Sequence, residues 1–190
     1  MAKTYTPRQN NREAYASLTE AGGSLPPQAT ELEEAVLGAL MLEGDCIVTV
    51  QEFLTADAFY LDSNRTIYKA IEALSTDNKP VDLLTVSERL KREGKLKEIG
   101  GAPFLAQLTQ KVASAMNVEF HATIIAQKYV QRELIRASTE IQRRSYDESS
   151  AVRALRDVAE QDMVKLSQGH ITRDCQELPP SIHQAVKARR

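Results

Sequence analysis

The sequence predicts an all-α protein: a compact globule of about six short helices, then an antiparallel helical hairpin, then a linker and a short amphipathic helix. Three observations carry this. Aromatic content is only 5%, with no Trp and eight Gly in 190 residues, a poor supply for a sandwich or barrel. Apolar residues recur at i, i+3, i+4 and i+7, and no stretch alternates apolar and polar residues long enough to be a strand. Helix start and stop signals punctuate the middle of the chain.

Residues 1–24 are polar and mixed in charge and end in Ala21-Gly22-Gly23-Ser24. This composition predicts a disordered tail, and Leu25-Pro26-Pro27 marks where folded structure begins. A helical globule is expected over 25–116. Its first helix runs from about Ala29 to Leu42, with Leu32, Val36, Ala39 and Leu40 on one face, and Gly44 stops it. A short helix follows from about Asp45 to Phe53, and Thr55-Ala56-Asp57 opens a brief turn before Phe59 and Tyr60. Ser63 is placed as the cap of the next helix, whose Ile67, Ile71 and Leu74 face inward.

The punctuation is clearest further on. Asp82 can accept from the free N–H groups of a first helical turn, and Pro80 keeps Val81 out of that helix. Val86 and Leu90 are its inward residues, and Gly94 suits the left-handed residue that ends a helix. Gly101 opens another helix, with Pro103 in its first turn, where a missing N–H costs nothing. Phe104, Leu105, Leu108 and Val112 are expected to be its buried side.

From Asn117 to Ser145 the chain has no Gly or Pro, and one long helix is expected there. Phe120, Val130, Leu134, Ala137 and Ile141 form one stripe, and Val118, Ile125, Tyr129, Arg132 and Arg136 lie on a second side. Tyr146-Asp147-Glu148 is read as a turn. Val152, Leu155, Ala159, Met163 and Leu166 follow at near-heptad spacing, so 117–168 reads as a hairpin. Residues 169–190 read as a linker ending in Ile182, Ala185 and Val186 on one apolar face. A helix that short is marginal alone and needs a surface to dock on.

Several chemistries are excluded by motif. No phosphate-binding loop and no Gly-x-Ser-x-Gly occurs, and His121, His170 and His183 have no Cys or His at metal spacing. No Lys, Arg or Ser follows Gly100-Gly101 to complete an anion nest. Cys46 and Cys175 form no CxxC and are read as free thiols. No apolar stretch is long enough for a membrane span or a secretory signal. A net charge of −2 gives no overall pull towards nucleic acid. The chain is therefore read as a non-enzyme with no catalytic, metal or cofactor residues. Its candidate contact residues are Ile125, Tyr129, Arg132, Arg136, Arg143 and Arg144 on the hairpin, with Ile182, Ala185 and Val186 as a docking face. Two plainer readings stand beside these: the basic residues as a solvated helix surface, and Ile125 with Tyr129 as packing against the globule.

An ordered set of short segments resembles the N-terminal domain of bacterial replicative DNA helicases of the DnaB type. It comprises Leu25-Pro26-Pro27; Glu34-Ala35-Val36-Leu37-Gly38-Ala39-Leu40-Met41-Leu42; Phe59-Tyr60; Arg65-Thr66-Ile67-Tyr68; Pro80-Val81-Asp82-Leu83-Leu84-Thr85-Val86; and Gly94-Lys95-Leu96. It continues with Gly100-Gly101-Ala102-Pro103-Phe104-Leu105-Ala106; Ser114-Ala115-Met116-Asn117; Arg132-Glu133-Leu134-Ile135; Tyr146-Asp147; and Ala159-Glu160. Asn64 departs from the pattern, standing where the family usually has His. The resemblance implies self-association through the hairpins into the collar of a hexameric ring, primase docking on that collar, and a helicase loader as a further partner. It implies a motor domain outside this chain that uses ATP and Mg²⁺ on single-stranded DNA, with 182–190 docking on it, and a cytoplasmic, nucleoid-associated location. The alternatives are a stand-alone helical nucleic-acid-binding protein, or a regulator that mimics the collar.

Overall fold

In the computed structural model, residues 25–112, 114–146, and 152, 153, 156, 157, 159–161 and 164 are described. Among the described residues six α-helices can be bounded: α1 (Thr30–Leu42), α2 (Ile47–Val50), α3 (Asp62–Thr76), α4 (Leu83–Arg92), α5 (Gly101–Gln110) and α6 (Val118–Ser145). Short 3-10 turns at Gly44–Cys46 and Ala56–Ala58 join the first three. The described residues of 152–164 are helical as well, and no described residue is in a strand.

Helix α1 is the hub. It packs on α3, α4, α5 and α6, and Val36, Leu37 and Leu40 are fully buried along it. Gly38 is the reason α5 can come so close: a Cβ there would lie 2.2 Å from the Leu108 carbonyl oxygen. Ile67, Ile71 and Leu74 of α3, Val86 and Leu90 of α4, and Leu105 and Leu108 of α5 complete one core. Phe59 and Tyr68 close it with ring centroids 4.7 Å apart. The Tyr68 hydroxyl, inside that core, donates to the Leu54 carbonyl at 3.2 Å.

The local signals near α4 and α5 hold. Asp82 Oδ1 accepts from Leu84 N and Thr85 N, both at 2.8 Å, and Thr85 Oγ1 accepts from Asp82 N at 3.0 Å. This is a reciprocal capping box, worth about 1 kcal/mol. Gly94 and Gly100 have φ of +73° and +104°, as a helix stop and a turn before α5 require. The expected Ser63 cap is corrected: α3 starts at Asp62, two residues earlier than a Ser63 cap implies, and Leu61, its cap residue, makes no side-chain bond. A carboxylate from α1 instead holds the turn just before the helix, as described below.

Helix α6 begins inside the globule. Val118, Ala122 and Ile125 belong to the core, with Ala126 and Tyr129 packed against it. Among the described residues, the contiguous core takes nothing from α6 beyond Tyr129, although Arg132 and Ala137 further along are also only 1% exposed. The helix runs on for four more turns with Leu134, Ile135 and Arg136 exposed.

Candidate interaction surface on the long helix

Arg132 marks the change from packed helix to displayed helix. It is 1% exposed. Its Nη1 donates to the Pro27 carbonyl at 2.9 Å, and its Nη2 donates to the Ala58 carbonyl at 2.5 Å. The rings of Tyr60 and Tyr129 each lie 5.7 Å from its guanidinium carbon, cation–π contacts that replace part of the lost hydration. A second charge sits on the far side of the same turn. Glu33, fully buried in the first turn of α1, accepts from Tyr60 N at 2.7 Å, Leu61 N at 3.4 Å and Asn64 Nδ2 at 3.0 Å.

The Glu33 carboxylate therefore lies at the N-terminus of α3, where the helix dipole favours negative charge. Burial pushes its pKa above the ordinary value, and the bonds from Tyr60, Asn64 and Leu61 and the charge of Arg132 pull the other way. Arg65 finishes the turn, donating to the Phe59 carbonyl at 3.1 Å and to Asp62 at 3.2 Å. Asn64, the departure noted in the sequence, is buried and serves Glu33.

These contacts correct two expectations. Ile125 and Arg132 are not a partner-facing surface of this chain: each is 1% exposed and engaged by the globule itself. The side of α6 that carries Val118, Ala122, Ile125, Tyr129 and Arg132 points inward, because four apolar positions in helical register need the core more than one guanidinium needs water. Tyr129 is half-buried beside Arg132. Arg136 and Arg143 lie outward, and Arg144 is half-buried. Glu133 accepts from Arg136 at 2.8 Å, and Glu140 accepts from Arg143 at 2.9 Å and Arg144 at 2.5 Å. The two guanidiniums hold the Glu140 carboxyl at about 2. Ile182, Ala185 and Val186 lie outside the described residues.

What the displayed part of the molecule offers is apolar. Leu134 and Ile135 are exposed on α6, Tyr146 at its end, and Val152 and Val164 in the second helical stretch. Phe120 and Met116 are exposed at its start. Among the described residues no cluster of His, Cys, Asp and Glu could hold a metal ion, and no helix is long and apolar enough to cross a membrane. Sequence reasoning missed Glu33 and Asn64. The signal for both was position: each is a polar residue in register with a buried apolar run.

Fold and surface together define a helical domain with a single core and a long helix, half embedded and half displayed. The chain belongs to the family described as DnaB-like helicase N terminal domain, whose model matches residues 25–127. It is 40% identical over 179 residues to the replicative DNA helicase DnaB of Rhodothermus marinus, covering 94% of this chain and 18% of that protein. It is 37% identical over 144 residues to DnaB of Geobacillus stearothermophilus, covering 76% of this chain and 32% of that protein. The chain thus spans less than a third of the length of these relatives. Among solved structures, the N-terminal domain of DnaB helicase from Mycobacterium tuberculosis superposes with a TM-score of 0.71 at 35% identity, over 74% of this chain and 99% of that one. A DnaB-like replicative helicase described together with its interactions with primase shares the fold, with a TM-score of 0.60 at 19% identity over 84% of this chain and 35% of that one.

Proposed function

We propose that this chain is the collar module of a replicative helicase, which associates with copies of itself and docks primase, while ATP-driven unwinding of DNA belongs to a motor domain elsewhere in the full-length protein. The observation that carries it is the displayed half of α6, with Leu134 and Ile135 exposed and the core finished by Tyr129. Apolar side chains held in water on a rigid element are what an interface uses. Primase is the partner because a helicase of the same fold is described with it. The contact residues are Leu134 and Ile135 with Arg136, Arg143 and Arg144 beside them. Titration of the chain against primase's C-terminal domain tests this. Paired Leu134→Ser and Ile135→Ser should weaken binding at least tenfold, and Arg136→Glu with Arg143→Glu should weaken it less. Unchanged affinity in both double variants would remove primase from this face. Ile182, Ala185 and Val186 are assigned to docking on the motor domain, with ATP and Mg²⁺ used there. A loader and single-stranded DNA are partners of the full-length ring.

A further inference from the structure

A buried guanidinium with two carbonyl acceptors is a costly way to hold a helix to its surroundings. An apolar side chain of similar volume commonly does as well for stability, so a retained buried charge points to a geometric role. The place of Arg132 shows which geometry. It is bound to the globule through its own hydrogen bonds, and its acceptors come from two other elements, the Pro27 segment and the turn at Ala58. That turn is held from its other side by Glu33 through Tyr60 and Leu61, and by Arg65 through Phe59. At Ala58, Arg132 is therefore fastened to backbone that is itself held from its other side.

We propose that Arg132 is a fulcrum: with Glu33 behind it, it sets the angle at which the displayed half of α6 leaves the globule and so the direction in which the hairpin is presented. At about 1.5 Å per residue, Val118 to Arg132 is a base of about 21 Å, and Arg132 to Ser145 is an overhang of about 20 Å. Lateral play in the base is then passed to the tip roughly one to one. Without the Arg132 bonds the base ends at Tyr129, or at Ile125 if the Tyr129 ring loosens with its neighbour. The base falls to between about 16 and 10 Å, the overhang lengthens to between about 24 and 30 Å, and the same play is magnified about 1.5- to 3-fold at the tip. Hydrophobic contacts alone tolerate this rocking, since they are non-directional. Two hydrogen bonds to backbone carbonyls do not, since they weaken steeply off axis. The inference holds whichever partner the hairpin takes.

Spin labels at Lys91→Cys on α4 and Gln142→Cys near the end of α6 measure the angle directly. The full chain is used, with Cys46 and Cys175 replaced by Ser and the labelled protein diluted into unlabelled chain. Arg132→Met should widen the distance distribution about 1.5- to 3-fold, and Arg132→Lys, which keeps the charge but not the fork, should fall between. Leu90→Ala, a core truncation away from the node, should lower the melting temperature without widening the distribution. A wild-type width in Arg132→Met would overturn the proposal, as would equal widening in Leu90→Ala. If Arg132→Met does not fold, the width of Arg132→Lys decides by the same criterion.

Discussion

Glu33 and Arg132 hold the same turn from opposite sides. The carboxylate takes the amides of Tyr60 and Leu61, and the guanidinium takes the carbonyl of Ala58. No side-chain bond joins the two charges directly; the backbone between them is the link. Truncating Arg132→Ala leaves the Pro27 and Ala58 carbonyls without donors, opens a cavity and removes the charge that offsets Glu33. The expected cost is about 3–5 kcal/mol in urea unfolding, against much less for Arg132→Met, which keeps the volume. Equal costs for the two would show that the lost bonding, not the volume, is what matters.

Glu33 gives a pH signature with a defined sign. Its folded pKa lies above the ordinary 4.5 because burial outweighs its hydrogen bonds. Above about pH 4.5 the unfolded chain releases this proton while the folded protein still holds it. Its contribution is therefore fully present below the unfolded value and declines as pH rises through the folded one. Glu33→Gln abolishes that term, and the buried Asn64 Oδ1, which has no protein partner, can take the new amide. Melting temperatures from pH 4 to 8 should show the variant gaining on wild type as pH rises. A difference between the two that stays flat with pH would refute this reading. Glu140, held low at about 2 by Arg143 and Arg144, acts with the opposite sign and cancels in the comparison.

Two glycines separate crowding from strain. At Gly38 a Cβ would meet the backbone of Leu108 at 2.2 Å, so Gly38→Ala must push α1 and α5 apart, at about 3 kcal/mol or more. At Gly94, φ is +73° with nothing within 4 Å, so Gly94→Ala costs only the left-handed conformation, about 1 kcal/mol. Denaturant midpoints measure both, and a reversed order would contradict the close approach of the two helices.

The capping box predicts that Asp82→Ala destabilises by about 1 kcal/mol, and Asp82→Asn by a few tenths. Hydrogen exchange at Leu84 and Thr85 should accelerate first in Asp82→Ala, because those two amides lose their acceptor.

The isolated chain is expected to turn over no ATP, since no phosphate-binding loop is present in its sequence. A coupled assay on purified chain checks this; turnover that disappears when residues of this chain are substituted would place chemistry here after all.

The parts of the fold that could be read from the sequence are those whose causes are local. Asp82 and Thr85 are three residues apart, and Gly94 and Gly100 mark stops within a turn of the helices they bound. The inward faces of α3, α4 and α5 follow from spacing alone. Arg132 could not be read that way, because its acceptors are 105 and 74 residues distant in sequence and a lone arginine ordinarily faces water. Its register was the clue: it continues the row of Val118, Ala122, Ile125 and Tyr129, so the helix that buries them carries it inward too. The cap of α3 was missed for the same reason. The carboxylate that holds the turn leading into it comes from Glu33, on another helix.

The ion pairs along the displayed helix have a further consequence. Glu133 is matched with Arg136, and Glu140 with Arg143 and Arg144, all within one turn. A partner arriving there meets two carboxylates against three guanidiniums, so small an excess that long-range attraction plays little part in the encounter. Association through this face should be nearly indifferent to ionic strength, and slow to form unless the partner supplies a steering field of its own.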